Sequence, residues 1–80
     1  MSVIDRRDRV KTIDGKIIAN NIKAERNRAG ITIENVCKSL NVSRPTYIEY
    51  EKDAGIVKTD FLLKLANYFE CSIDMFFYTK

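Results

Sequence analysis

The eighty-residue chain has no histidine, a single proline, three glycines and two cysteines, and its net charge is only +3. Each scarcity removes a class of function. Without histidine, without a glycine-rich phosphate loop and without a cysteine pair at metal-ligand spacing, the usual groups for acid–base, phosphate or metal chemistry are missing. No enzymatic activity, cofactor or metal is therefore expected. No apolar run approaches the roughly twenty residues needed to span a bilayer, and no signal-peptide pattern opens the chain, so a cytoplasmic protein without membrane contact is expected. With 45% hydrophobic residues and so little glycine and proline, the composition fits neither a disordered chain nor a hairpin-rich one. A chain of this length can bury one modest core, which predicts a single domain.

What is present is helical patterning. Ile33, Val36, Cys37 and Leu40 recur at three- and four-residue intervals, with Glu34, Lys38 and Ser39 between them. Thr32 precedes this run as an N-cap whose hydroxyl accepts from an otherwise unpaired backbone N–H. Asn41 follows Leu40 and tolerates the left-handed conformation in which a helix stops and turns. Ser43 then caps another helix, with Pro45 in the first turn, where its missing N–H costs no bond. At about 100° per residue, this second helix places Thr46, Tyr47, Tyr50 and Glu51 on the core side and Arg44, Pro45, Ile48, Glu49 and Lys52 outward. Two short helices joined by a three-residue turn, the second with an exposed face, outline a helix-turn-helix over residues 32–51. In such a motif the first turn of the second helix presents side chains to base edges in the major groove.

This stretch resembles the lambda-repressor-like helix-turn-helix family, also called the xenobiotic-response-element or Cro/repressor family, and the resemblance runs from about Ile22 to Phe77. The matching features are Arg26 and Gly30 ahead of the motif, Glu51 closing it, the unaltered LLKLA of Leu62 to Ala66, and a Ser-capped end at Ser72, Ile73, Asp74, Met75 and Phe76. The resemblance implies an all-α, compact five-helix DNA-binding domain and a structural ion pair between Arg26 and Glu51. Three positions depart from the family. Ile33 stands where a Gln often contacts a phosphate, although backbone N–H groups at that helix start remain available. Pro45 replaces a polar residue. Glu49 replaces a frequent Gln, Arg or Lys, and either accepts from a cytosine N4 amine or repels phosphate.

The candidate DNA-binding residues are thus Thr32, Ile33, Ser43, Arg44, Pro45, Thr46, Ile48, Glu49 and Lys52. Arg44 is the strongest base reader, because its fork matches the O6 and N7 acceptors of guanine; the alternative is that it binds a phosphate. Ser43 and Thr46 offer hydrogen bonds to phosphate or base edges, and Ile48 a contact to a thymine methyl.

Elsewhere, a first helix from about Asp14 to Ala29 is expected to bury Ile18 and Ile22, with Ile17 a further candidate and Gly30 as its left-handed stop. Residues 52–58 form a loop whose corner is assigned to Gly55, and a fourth helix from about Thr59 to Phe69 turns Phe61, Leu62, Leu65, Ala66 and Phe69 inward. Residues 1–12 form a basic N-terminal arm ahead of a domain spanning 13–80, and RVKTI within it is compatible with a strand lacking an identifiable partner. Residues 1–30 hold eight Lys or Arg against four Asp or Glu, whereas residues 31–80 hold six against seven. Arg6, Arg7, Arg9 and Lys11 are either a solvated tail or an arm that adds phosphate or minor-groove contacts. Cys37 and Cys71 read as small core hydrophobes, with a disulfide or thiol sensor as the alternative. Most of the aromatics Phe61, Tyr68, Phe69, Phe76, Phe77 and Tyr78 belong to the core rather than to a base-stacking platform. Met75, Phe76, Phe77 and Tyr78 nevertheless exceed what one helix face buries, and are candidate contacts of a twofold dimer.

Together these features predict a sequence-specific double-stranded DNA-binding transcriptional regulator that reads DNA with residues 43–52, and the resemblance implies a repressor that binds a palindromic operator as a homodimer. Abundance, dimerisation or a second, regulatory protein partner are the expected routes of control. The alternative is a protein-interaction module, such as an antitoxin that neutralises a partner protein.

Overall fold

The computed structural model describes residues 10–79. In chain order these form β1 (Val10–Lys11), α1 (Gly15–Arg28), α2 (Ile33–Leu40), α3 (Arg44–Tyr50), a 3₁₀ turn (Ala54–Ile56), α4 (Thr59–Phe69), a second 3₁₀ turn (Ile73–Phe77) and β2 (Tyr78–Thr79). The five helices expected from the family are thus four α-helices and, in the fifth place, a 3₁₀ segment. Its five residues suit the tighter geometry: Ser72 accepts from Asp74 N–H at 3.3 Å, Met75 N–H bonds Ser72 C=O at 3.0 Å, and the chain is extended again at Tyr78. Among the described residues, no helix is long and apolar enough to cross a membrane.

The start of α1 is fixed by Asp14, whose carboxylate accepts from Lys16 N–H at 2.9 Å and Ile17 N–H at 3.4 Å. Ile18, Ala19, Ile22 and Arg26 are its buried face, at helical spacing. Gly30, at φ +72°, reverses the chain after α1. The other end of α1 packs closely on the segment after α3. A Cβ at Gly15 would lie 2.0 Å from Asp53 Oδ1 and 2.7 Å from Gly55 N, so only glycine fits. The corner assigned to Gly55 is made differently. Gly55 has no left-handed φ, and the turn is a 3₁₀ segment held by Asp53, which accepts from Gly55 N–H at 2.9 Å.

Tyr47, Phe69, Phe76, Ile22, Leu65 and Val36 fill the centre of the molecule. Edge-on rings extend this core from α3 to the C-terminal segment: Tyr50 packs on Phe61 at 5.4 Å, and Phe69 on Phe76 at 6.4 Å between centroids. Cys37 and Cys71 are half-buried free thiols against this core. Phe76 is 0% exposed, which corrects its assignment as a dimer contact: it leaves a second copy no surface to touch. Phe77 and Tyr78 are half-buried, and Met75 remains 39% exposed.

The strand of unknown pairing finds its partner at the far end of the sequence. β1 and β2 are antiparallel, with Val10 opposite Thr79 and Lys11 opposite Tyr78, and Thr12 N–H extends the ladder to Phe77 C=O at 2.7 Å. Asn21 of α1 secures the segment by donating through Nδ2 to the carbonyls of Phe76 at 2.9 Å and Tyr78 at 2.7 Å. Arg6, Arg7 and Arg9 of the basic arm lie outside the described residues.

Candidate nucleic-acid interface

The helix-turn-helix is built by local side-chain chemistry. Thr32 Oγ1 accepts from Asn35 N–H at 3.1 Å and starts α2. Asn41 ends α2 in the left-handed region at φ 55°, and Val42 N–H returns to Cys37 C=O at 3.1 Å. Ser43 Oγ then accepts from Thr46 N–H at 3.3 Å and starts α3, with Pro45 in the first turn, where no N–H is required. The two helices are thus separated by Asn41, Val42 and Ser43.

One buried guanidinium fixes both ends of this motif. Arg26, 8% exposed, reaches from α1 between the two helices. Its Nη1 donates to Ile31 C=O at 2.9 Å, just before α2. Its Nε and Nη2 donate to the two carboxylate oxygens of Glu51 at 2.7 and 3.2 Å, just after α3. The buried Tyr47 hydroxyl donates to the same carboxylate, so Glu51 has three donors. The hydrogen bond that Arg26 donates to Glu51 raises the pKa of Arg26 above its ordinary value, and burial, reinforced by Glu51, pushes that of Tyr47 up as well. All polar groups of the cluster are satisfied, which makes it a rigid brace rather than a reactive centre. The pairing of Arg26 with Glu51 expected from the resemblance is the geometry found.

The brace leaves one side of α3 uncovered. Ser43, Arg44, Pro45, Thr46 and Glu49 are exposed, and so is Lys52 beyond the helix end. Among the described residues Arg44 has no hydrogen-bond or ion-pair partner. It borders an open depression whose remaining walls are Glu34, Asn35, Cys37 and Lys38 of α2. Glu49 is instead tied to Lys52, Nζ to Oε2 at 3.4 Å, with both side chains largely in solvent.

Three expected positions sit differently from their assignment. Thr46, placed on the core side by helical projection, is exposed. It lies in the first turn, ahead of the packed part of α3, and its Oγ1 accepts from Ser43 Oγ at 2.8 Å. Ile48 is half-buried rather than fully outward. Ile33 packs against the core, while Thr32 beside it is exposed and uses its hydroxyl as the cap.

Some supporting residues gave no signal in the sequence. Arg28 bridges Glu25 at 2.6 Å and donates to Phe69 C=O at 3.0 Å, joining the ends of α1 and α4. Ser39 donates to Tyr68 Oη at 3.0 Å, tying α2 to α4. Both contacts use partners some thirty or forty residues away, and only the helical phase of the residues bears on them.

The comparisons agree with this geometry. A family model described as helix-turn-helix matches residues 22–76, which covers all of α2, α3 and α4 and the larger part of the chain. No curated protein matches the chain. With the motif, its brace and its exposed helix in register with that match, the chain belongs to the lambda-repressor-like helix-turn-helix family of DNA-binding domains.

Proposed function

We propose that this protein is a sequence-specific transcriptional regulator, a repressor that lays α3 into the major groove of an operator and blocks access to it. One observation carries the proposal: Arg44 is an exposed cation, unpaired among the described residues, in the first turn of a helix whose opposite side is locked by Arg26, Glu51 and Tyr47. A guanidinium held on a rigid helix is suited to a bidentate bond with guanine O6 and N7. Thr46 stands beside it as a hydroxyl donor to phosphate, its oxygen accepting from Ser43, and exposed Thr32 marks the start of α2, where backbone N–H groups are available to the same ligand. Lys52 adds a cation at the other end of α3.

Binding as a twofold dimer to a palindrome follows from the need for affinity, since one short helix contacts few bases. Met75, with the half-buried Phe77 and Tyr78, is the patch that supports such a contact, without Phe76. A second interpretation, a module that binds a protein partner, draws on the exposed Ile13 and Ile56, at 96% and 69%, which stand apart from α3 in sequence. Selecting bound sequences from a random duplex pool separates the two. An enriched palindrome supports an operator-binding dimer, whereas no enrichment at low salt refutes DNA reading in favour of a protein partner.

A further inference from the structure

A carboxylate on the reading face of a DNA-binding helix needs a reason, because it faces a polyanion. Glu49 occupies such a place, and among the described residues the one partner of its side chain is Lys52, Nζ to Oε2 at 3.4 Å, with the two side chains 62% and 67% exposed. The pair is nearly neutral, so its net charge adds little to the approach of phosphates. What remains is a pattern: an acceptor and a donor side by side on one face, a little over 3 Å apart.

That pattern has a counterpart in the major groove. A base pair presents the exocyclic amine of one base next to the carbonyl oxygen of its partner, and these two atoms are themselves hydrogen-bonded, about 3 Å apart. A carboxylate can accept from the amine while the neighbouring ammonium donates to the carbonyl. Of the possible pairs, C·G fits best. Beside cytosine N4 it offers guanine O6 and then guanine N7, two successive acceptors for the ammonium, and no acceptor stands on the cytosine side to repel the carboxylate. In A·T the adenine N7 acceptor would face Glu49, and the thymine methyl would crowd Lys52.

We propose that Glu49 and Lys52 act as one unit that specifies a C·G pair, Glu49 accepting from cytosine N4 and Lys52 donating to guanine O6. The inference rests on α3 being the reading helix, and it adds a second specified position to the guanine assigned to Arg44. It also gives the acidic residue on that face a selective role: Glu49 lowers affinity for every other base pair rather than for DNA in general.

The test uses the full chain and a duplex obtained by selection from a random pool, together with that duplex carrying every single base-pair change. For the unmodified protein, one C·G position should lose on the order of tenfold in affinity when changed to A·T. Glu49→Ala should flatten the preference at that position alone, leaving the other positions as sharply read as before. Lys52→Met should weaken it at the same position and not elsewhere. Both side chains are exposed, so the variants should keep the unmodified protein's circular dichroism and melting behaviour. If Glu49→Ala instead raises affinity by the same factor on every duplex and steepens the salt dependence, Glu49 only repels phosphate and the inference is overturned. If the unmodified protein binds no duplex preferentially, the assignment of α3 as a reading helix fails, and the inference with it.

Discussion

Replacing Glu51 by Gln should destabilise the fold far more than any change on the exposed side of α3. The side chain keeps its shape, but the guanidinium of Arg26 loses its counter-charge inside a site where the two side chains are only 10% and 8% exposed. Breaking a buried pair by removing one partner costs about 3–5 kcal/mol. The amide oxygen still accepts one hydrogen bond, so a loss of about 2–4 kcal/mol is expected, with Tyr47 Oη or Arg26 Nη2 left without an acceptor. A chain of this size has on the order of 4–12 kcal/mol of stability in all, so the loss is a large fraction of it. The assay is urea denaturation followed by far-ultraviolet circular dichroism. With a slope on the order of 1 kcal/mol/M, the midpoint should fall by about 2 M or more at constant slope. Glu49→Gln is the internal control: it breaks an ion pair in solvent and should cost less than about 0.5 kcal/mol. A Glu51→Gln midpoint within the error of that control would refute the idea that the buried cluster holds the motif together.

The phenol of Tyr47 links the same cluster to pH. Its pKa in the fold is raised above the unfolded value of about 10, so the folded protein holds a proton that the unfolded chain releases. Stability is fully present below pH 10 and should fall above it by up to about 1.4 kcal/mol per pH unit, a slope that Tyr47→Phe should reduce; equal slopes for the two proteins would contradict this. Gly15→Ala should destabilise by at least about 1 kcal/mol, although alanine is the better helix former, because its Cβ meets Asp53 and the backbone of Gly55. A higher melting temperature for Gly15→Ala would show that the contact yields. Glu70→Gly should have the opposite effect, since Glu70 ends α4 at φ 58°, and relieving a left-handed side chain is worth about 1 kcal/mol, or several degrees in Tm. No rise in Tm would mean that the turn bears no strain.

The motif was legible in the sequence because its signals are local. Thr32, Asn41 and Ser43 act on backbone groups within five residues, and spacing points to Ile18 and Ile22 of α1, Val36 of α2 and Leu62, Leu65, Ala66 and Phe69 of α4 as buried, though not to Ala19 or Arg26. The pairing of Arg26 with Glu51 spans twenty-five residues, and only the family resemblance points to it. Contacts to main-chain carbonyls were not legible, because every residue carries one. Asn21 and Arg28 could have donated to almost any segment, and nothing local pointed to Phe76, Tyr78 or Phe69. The partner of β1 was hidden for the same reason, as a two-residue ladder has no pattern of its own. On the α3 face, projection at 100° per residue misplaced Thr46 because it takes the whole helix to be packed, whereas the first turn projects past the core. That projection is what makes the turn available to a ligand.

The central claim is that Arg44, carried on a braced α3, reads a base. The most direct measurement is the affinity of Arg44→Ala for a selected duplex and for each of its single base-pair variants, at two salt concentrations. If Arg44 reads a base, the variant loses about 1–3 kcal/mol on the selected duplex, with discrimination abolished at one G·C position and retained at the others. An equal loss on every duplex, with a salt slope reduced by about one, would make Arg44 a phosphate contact and contradict the claim.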